Sequence, residues 1–302
     1  MKADPRFLRQ PKEFWANVRT ISQAVGYTRR AREGSGEILV ATIEQVREKF
    51  AALKLSTSRI ANDQNDLTDF GRVLFSYFAH RANVINDVVR PLLMNRDGAK
   101  AEFERLCKAH SPRCPLPMNK QKGEKKGHAF LTGIVNVLIE ANIGGLPLNY
   151  DPKGLTTVTH DAMPLRTLSR RVDGAFPSIV NPLAIWEIKE YYYTTTFGSR
   201  VADGVYETLV DGMELEELNN ACGREIYHIL FIDDYFTWWV KGRSYLCRLI
   251  DLLHMGFVDE VVVGREVLDR VPELAREWRA QYEQFAATIK EPVANVDVTD
   301  GE

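Results

Sequence analysis

Two short stretches, SRRVDGAF (residues 169–176) and LAIWEIKEYYY (residues 183–193), decide the fold. LAIWEIKEYYY is rich in β-branched and aromatic residues, and SRRVDGAF carries Val172 and Phe176. Both are bounded by Pro, Gly or Asn, as neighbouring strands of one sheet are. The second stretch places Glu187 and Lys189 two residues apart, so the strand period of two puts both side chains on one face. A carboxylate and an ammonium group on a hydrophobic strand are unfavourable to desolvate unless something binds them. We therefore expect a functional site here.

A second acid precedes this pair along the chain. Asp173 directly precedes Gly174, and its position differs from that of Glu187 by 14 (187 − 173 = 14). The intervening FPSIVNP favours a turn, so a hairpin would bring both carboxylates to one end of the sheet. Two carboxylates and a backbone carbonyl, here that of Ile188, form the hard-oxygen ligand set of Mg²⁺. With a lysine beside them to orient water and stabilise charge on a phosphoryl group, these residues predict metal-assisted phosphodiester hydrolysis.

The surrounding sequence alternates predicted helices and strands. HAFLTGIVNVLIEANI (128–143) predicts a helix before the two strands, and SRVADGVYETLVDGMELEELNNA (199–221) predicts one after them. The nearly continuous apolar run EIYHILFIDD (225–234) is typical of a strand covered on both faces. TTVTHDAM (156–163) and DEVVVG (259–264) predict two more strands of the sheet. This order predicts an α/β fold with a mixed central sheet flanked by helices.

The acids and the lysine follow the pattern of a known family. Asp173, followed after a hairpin-sized gap by Glu187-Ile188-Lys189 on a hydrophobic strand, resembles the D…(D/E)xK signature of the PD-(D/E)XK, or restriction-endonuclease-like, nucleases. The resemblance covers roughly residues 127–265. It implies a restriction-endonuclease-like core, with Asp173 and Glu187 as metal ligands and Lys189 as the catalytic lysine.

The resemblance implies one further acid, and the sequence differs from the family's usual pattern at one position. Many members of the family add a glutamate from the helix that precedes the sheet, and Glu140 occupies a comparable place. The alternative for Glu140 is a solvated side chain at a helix end. The proline that usually precedes the first acid is absent, since Val172 stands there.

The segment after the EIK strand is rich in hydroxyl and aromatic residues. We expect Thr195 and Ser199 to contact phosphates and Arg200 to support the site or the DNA backbone. Arg200, Asp203 and Glu207 share one face of the following helix. The alternative is an ordinary helix held by a surface ion pair.

The spacing of apolar residues and the local composition divide the chain into four parts. Residues 1–110 carry apolar residues at helical spacing and predict a helical N-terminal part that recognises DNA, forms a dimer interface or does both. Residues 111–127, SPRCPLPMNKQKGEKKG, predict a basic Pro/Gly linker. Residues 128–290 hold the nuclease-like core, and residues 291–302 form an acidic tail.

Basic residues are concentrated in two places. VRTISQAVGYTRRAREGSG (18–36), which contains Arg29 and Arg30, fits a loose helix-turn-helix or an arginine-rich loop lying on phosphates. Lys125 and Lys126, at the end of the predicted linker, are candidates for a clamp on the duplex. Solvated loops are the alternative in both places.

The composition indicates an ordinary globular protein. The 39 lysines and arginines nearly balance the 41 aspartates and glutamates, which excludes a strongly basic, histone-like protein. The sequence shows neither a secretory signal nor a long apolar stretch, and its four cysteines form no repeated CxxC pair. We therefore expect a cytoplasmic protein with reduced thiols and no membrane contact. GxGxxG, GxSxG and P-loop motifs are absent, which disfavours other classes of α/β enzyme.

These features together predict a Mg²⁺-dependent, site-specific endonuclease that cuts double-stranded DNA in the manner of type II restriction enzymes. A homodimer is expected, because two symmetric sites cut two strands most simply. A cognate methyltransferase would be its partner in a restriction system. The alternatives are a repair, recombination or phage-defence nuclease of the same fold, and a non-catalytic DNA-binding protein whose acids and lysine are structural.

Overall fold

A five-stranded mixed sheet forms the centre of the C-terminal part of the chain. The computed structural model describes residues 1–8, 10–29, 36–119, 123, 126–193 and 198–290. The strands of the sheet are β1 (Asn149–Tyr150), β4 (Gly174–Phe176), β5 (Ala184–Glu190), β6 (Tyr227–Asp233) and β7 (Glu260–Val263), in that spatial order. The pairs β1/β4 and β4/β5 are antiparallel, whereas β5, β6 and β7 run parallel. The predicted mixed sheet is therefore confirmed.

One predicted strand belongs to a different sheet. TTVTHDAM contains β2 (Thr157–His160), which pairs with β3 (Met163–Thr167) in a separate two-stranded sheet and forms one isolated bridge to Val180. Val158 is buried beneath this hairpin, while Met163 and Leu165 are more than half exposed. The prediction that TTVTHDAM joins the central sheet is wrong, because alternation along a strand identifies its buried face but not its partner.

Helices cover both faces of the central sheet. α6 (Phe130–Asn142) and α9 (Val267–Lys290) share a buried cluster with Trp186 and Ile188 of β5. On the opposite face, α7 (Ser199–Cys222) and α8 (Arg243–Met255) pack against residues such as Ile185 and Leu230. Successive residues of β5 therefore point to opposite faces, as the strand period requires. No helix in the described part of the chain has the length and apolar character of a membrane span.

The N-terminal part is helical, as predicted. α1 spans Lys12–Val25 and α5 spans Arg96–His110. α2 begins only at Ile43, since Thr42 caps it by accepting a hydrogen bond from the amide of Gln45. The long apolar pattern from residue 66 to residue 93 forms three consecutive pieces, which are α3 (Asp69–Asn83), a π-helical segment (Val84–Val89) and α4 (Arg90–Leu92).

The N-terminal helices are packed onto the sheet and its helices. Arg81 of α3 forms a buried ion pair with Asp251 of α8, with Nη1 and Oδ1 3.0 Å apart. The hydroxyl of Tyr77 donates to the same carboxylate oxygen at 2.6 Å. The amino group of Met1 donates to the carbonyl of Val261 in β7 at 2.8 Å. The helical part is therefore anchored to the α/β part through buried polar contacts.

Residues 111–127, predicted to be a linker, connect two helices that pack on each other, α5 and α6. Cys114 is buried in this connection, and the amide of Asn136 in α6 donates to the carbonyl of Pro115 at 2.9 Å. Residues 120–122, 124 and 125 lie outside the described residues. α5 shares a buried cluster with α6 and β5, so it contributes to the core of the α/β part.

Gly174, at the start of β4, lies directly beneath a buried indole. A methyl group added there would come within 2.1 Å of the Trp186 ring, which stacks on Trp278 at a centroid distance of 5.4 Å. We expect Gly174→Ala to lower the free energy of unfolding by about 1–3 kcal/mol, because an overpacked core must shift. Chemical denaturation measures the change.

The matched control is Gly154→Ala. Gly154 is exposed, and an added methyl group would meet only the flexible end of Ile179. The control should change stability by less than about 0.5 kcal/mol. Equal stability of both variants would contradict the packing described for Trp186.

Candidate active site

β5 carries a buried charged pair in the middle of the sheet. Glu187 has no exposed surface, and Lys189, two residues further on, is 11% exposed. Lys189 Nζ donates to Glu187 Oε2 at 2.7 Å. The predicted placement of both side chains on one face of a strand is therefore found in the structure.

Asp173 meets β5 at the point where β4 begins. Gly174 pairs with Trp186, so β5 continues past the first residue of β4. Across this step, Asp173 Oδ2 accepts a hydrogen bond from the amide of Ile188 at 2.7 Å. The N–H and C=O groups of one strand residue point to the same side, so the carbonyl of Ile188 also faces the edge on which Asp173 lies. The structure brings together Asp173, Glu187, Ile188 and Lys189.

Arg170 joins this group from the segment that precedes β4. Its Nη1 lies 3.0 Å from Glu187 Oε1 and 2.6 Å from Asp211 Oδ2. Its Nη2 lies 3.2 Å from Glu207 Oε2. Sequence analysis did not identify Arg170, although an arginine three residues before the first acid was a signal that could have been weighed.

α7 packs on the face of β5 that carries Glu187 and Lys189, and it supplies two acids. Glu207 accepts a hydrogen bond from Lys189 Nζ at 2.7 Å, and Asp211, one turn later, is fully buried. Gly204 lets the helix approach closely, since a methyl group there would lie only 3.0 Å from the Tyr191 hydroxyl. The shared face predicted for Arg200, Asp203 and Glu207 pointed to this helix, but Asp211, the next residue at helical spacing, was missed. We call Asp173, Glu187, Glu207 and Asp211 together with Arg170 and Lys189 the charged cluster.

The charged cluster holds more acids than cations. Fully ionised, its four carboxylates and two cations carry a formal charge of −2 (2 − 4). Burial raises the pKa of Asp211 to about 7, and burial together with the neighbouring Glu187 raises that of Asp173 to about 6. Burial would also raise the pKa of Glu187, but Lys189 and Arg170 outweigh it and lower that pKa. Two of the four carboxyl groups, those of Asp173 and Asp211, therefore hold their protons more tightly than free carboxyl groups do.

The donor atoms of the charged cluster fit a hard divalent cation. Asp173, Glu187 and the carbonyl of Ile188 supply oxygen ligands of the kind Mg²⁺ uses. Oδ1 of Asp211 is buried without a hydrogen-bond partner, and Oε1 of Glu187 has only the ion pair with Arg170 Nη1. One divalent charge would match the excess of two. In the described part of the chain, no three or more His, Cys, Asp or Glu side chains form a metal-binding group, so the fit rests on two carboxylates and a carbonyl.

Glu140 lies away from the charged cluster. Its Oε2 accepts a hydrogen bond from the amide of Arg113, at the C-terminal end of α6. The opposite end of α6 is the one that meets β5, where the amide of Leu131 donates to Glu190 at 2.6 Å. Nine residues of helix, about 13 Å, separate Leu131 from Glu140. The prediction of Glu140 as a site residue is corrected, because α6 packs on the face of the sheet that Glu187 does not share.

Only some of the residues predicted to contact DNA belong to the part of the chain that the structure describes. Thr195, Arg30 and Lys125 lie outside the described residues, as does the side chain of Ser199. Arg200 is exposed at the start of α7, and its carbonyl accepts a hydrogen bond from Tyr191 at 3.1 Å. Lys126 is also exposed.

The predicted helix-turn-helix has no second helix in the described residues. α1 ends at Val25, and the next described helix is α2, which begins at Ile43. Between them, Thr28 and Ile38 form an antiparallel bridge, and residues 30–35 lie outside the described part. Arg29 is exposed beside this bridge.

Comparison with known proteins gives two family matches. A family model described as "Domain of unknown function (DUF7687)" matches residues 94–278. A second one, described as "Domain of unknown function (DUF7690)", matches residues 1–88. The first match contains the central sheet and the whole charged cluster, and the second covers α1, α2 and α3. No curated protein and no solved structure matches the chain.

Asp211 makes the free energy of unfolding depend on pH. Burial raises its pKa from 3.8 to about 7, so the folded chain binds this proton more tightly than the unfolded chain does between those pH values. The stabilisation is complete below about pH 4 and is lost as pH rises to about 7, by at most about 1.4 kcal/mol per pH unit. We therefore expect the natural chain to exceed Asp211→Asn in free energy of unfolding by less at pH 7.5 than at pH 5. Chemical denaturation in buffer with EDTA measures this difference.

The control for this measurement is Asp269→Asn, which changes an exposed aspartate. Its stability difference from the natural chain should stay nearly constant over the same pH range. A difference for Asp211→Asn that also stays constant would show that the buried carboxyl does not take up the proton.

Proposed function

This chain belongs to the DUF7687 family, and we propose that it is a Mg²⁺-dependent endonuclease that hydrolyses phosphodiester bonds of double-stranded DNA. One observation carries the proposal. Asp173, Glu187 and Lys189 converge at the step where β5 continues past the start of β4, with the Ile188 amide bound to Asp173. This is the arrangement that the D…(D/E)xK signature implies.

The order of elements supports a restriction-endonuclease-like core. α6 leads into β1, β4 and β5, which are antiparallel neighbours, and α7 then connects β5 to the parallel strand β6. The resemblance implies the same order, with a helix leading into a mixed sheet and then a helix and another strand. The agreement therefore extends beyond the three signature residues to the order of the helices and strands. The β2/β3 hairpin is inserted between β1 and β4 along the chain, but β1 and β4 still pair with each other.

In this proposal Asp173, Glu187 and the carbonyl of Ile188 hold the metal ion. When bound, the ion polarises a phosphoryl oxygen and lowers the pKa of a bound water. Burial lowers the pKa of Lys189, but Glu187 and Asp173 raise it well above its ordinary value, so the side chain stays positively charged. Lys189 then acts as a hydrogen-bond donor that orients water and stabilises negative charge, and not as a base.

The other members of the charged cluster position these groups. Glu207 accepts from Lys189 Nζ at the same distance as Glu187 does, 2.7 Å, so the ammonium group is held from both the strand and the helix. Arg170 bridges Glu187 and Asp211 and keeps the buried strand carboxylate oriented. Arg170 and Glu207 are therefore positioning residues in this proposal.

A site-specific enzyme of the type II restriction class is the leading form of the proposal. It would act as a homodimer on double-stranded DNA, with a cognate methyltransferase protecting the host sequence. A repair, recombination or phage-defence nuclease would use the same residues on other substrates. Cleavage products distinguish these cases, because a site-specific enzyme gives discrete fragments with one end sequence.

A non-catalytic DNA-binding protein is the second candidate. It is favoured by the two cations that already occupy Glu187, with Lys189 on one oxygen and Arg170 on the other. In that case the charged cluster would be a buried ion-pair network that holds α7 on the sheet.

Cleavage of DNA separates the two candidates. We expect unmethylated phage DNA to be cut in Mg²⁺ and not in EDTA, and the rate to fall by about 100-fold or more in Lys189→Met and Glu187→Gln. Both substitutions keep the approximate side-chain volume, which limits unfolding of the buried strand. Gel electrophoresis measures cleavage, and a gel shift in Ca²⁺ measures DNA binding.

The control is Lys153→Met, which removes an exposed lysine paired with Asp151 outside the charged cluster. It should cut at the rate of the natural chain. Folded Lys189→Met protein should still bind DNA. Intact DNA in every lane, with the natural chain folded and bound to DNA, would contradict the nuclease and favour the non-catalytic candidate.

A further inference from the structure

A cleft separates the N-terminal helices from the helices that cover the sheet. Its volume is 760 Å³, and it lies between α1 and α2 on one side and α7 and α8 on the other. Sites for small molecules typically occupy 300–1,000 Å³. The cleft is therefore large enough for a ligand of a few hundred daltons, and it lies outside the charged cluster.

Two guanidinium groups face the cleft without an acidic partner among the described residues. Arg248 donates from Nε to the hydroxyl of Tyr27 at 3.5 Å and lies over the rings of Tyr27 and Tyr245. Arg19 donates from Nη2 to the sulfur of Met255 at 3.6 Å. A third cation, Lys49, shares its charge with Glu48. An arginine pair that is free of carboxylates is suited to bind an anion such as phosphate.

The acid in the wall of the cleft is already neutralised. Asp251 accepts from Arg81 Nη1 at 3.0 Å and from the hydroxyl of Tyr77 at 2.6 Å. Its charge is thus compensated within the protein. Arg19 and Arg248 are then the charged groups of the cleft wall that have no acidic partner among the described residues, and they favour an anion.

The remaining walls suit a flat, largely apolar group. Tyr206 and Leu53 are each more than half exposed where they border the cleft, and Leu209 adds a further apolar side chain to its lining. Thr20 and Gln23 of α1 add a hydroxyl and an amide, which can hydrogen-bond to the edge of a heterocycle. Aromatic side chains of this kind are typical platforms for nucleobases.

We propose that this cleft binds a nucleotide, with the phosphate on Arg19 and Arg248 and the base against Tyr206 and Leu53. The same chemistry is presented by a free nucleotide and by one nucleotide of a nucleic acid strand. The cleft and the charged cluster share α7, since Val205, Tyr206 and Leu209 line the cleft while Glu207 contacts Lys189.

Calorimetric titration of the full chain in EDTA tests the binding site without any cleavage. The probes are AMP, GMP, ATP, GTP, inorganic phosphate and a single-stranded DNA oligonucleotide. We expect at least one nucleotide or the oligonucleotide to bind, and inorganic phosphate to bind at least tenfold more weakly. Binding by free nucleotides identifies a small-molecule site, and binding by the oligonucleotide alone identifies a site for a strand.

Two variants of different kinds locate the binding in the cleft. Arg248→Met removes the guanidinium group, and Ala52→Trp fills the cleft from an exposed position. Each should weaken binding at least tenfold. The control, Arg276→Met, changes an exposed arginine that contacts Asn142 on another part of the surface and should leave binding unchanged.

Three results would overturn the proposal. Folded natural chain that binds neither the nucleotides nor the oligonucleotide would do so, as would inorganic phosphate that binds as tightly as a nucleotide. Binding that persists unchanged in both Arg248→Met and Ala52→Trp would place the ligand elsewhere. Because the titration needs neither metal nor cleavage, its outcome is independent of whether the chain is a nuclease.

Discussion

The carboxylate of Glu187 lies in the middle of the central sheet without solvent, and the arrangement around it follows from the need to compensate its charge. An unpaired charge in this position would be strongly destabilising, whereas a buried ion pair also loses hydration that its attraction only partly restores. Lys189 comes from the same strand, and Arg170 comes from the segment before β4. These cations recruit Glu207 and Asp211 of α7, so one buried acid ties together a strand, a helix and the approach to the neighbouring strand.

A buried ion-pair network of this kind contributes little net stability to a sheet, because apolar residues of similar size often give the same stability or more. Its retention at the step between β4 and β5 is understandable if the acids have a second use. The cluster has two more negative charges than positive ones, and two of its carboxyls hold protons more tightly than usual. A divalent cation would compensate the same excess, which connects the energetics of the fold to the proposed hydrolysis.

Local rules made the centre of this site predictable from the sequence. The strand period placed Glu187 with Lys189, and the turn residues between the strands brought Asp173 to the same edge. Arg170 and Asp211 were missed because they are 41 residues apart and resemble ordinary surface charges until the fold pairs them. Glu140 was predicted in the site, but its helix packs on the face of β5 that carries Trp186 and Ile188. Packing across the sheet decides which face a helix covers, and the sequence near Glu140 does not show it. The β2/β3 hairpin escaped prediction for the same reason, as partners of a strand are set by the whole fold.

A diffraction experiment tests most directly whether the charged cluster is a metal site. Crystals grown with Mn²⁺ in place of Mg²⁺ would show the ion by its anomalous scattering. The account predicts a peak within about 2.3 Å of oxygens from Asp173, Glu187 and the carbonyl of Ile188, with Lys189 displaced from the Glu187 oxygen that binds the ion. Crystals with Mn²⁺ at other sites but none here, and with Lys189 and Arg170 still paired to Glu187, would contradict it and leave the cluster as a structural ion-pair network.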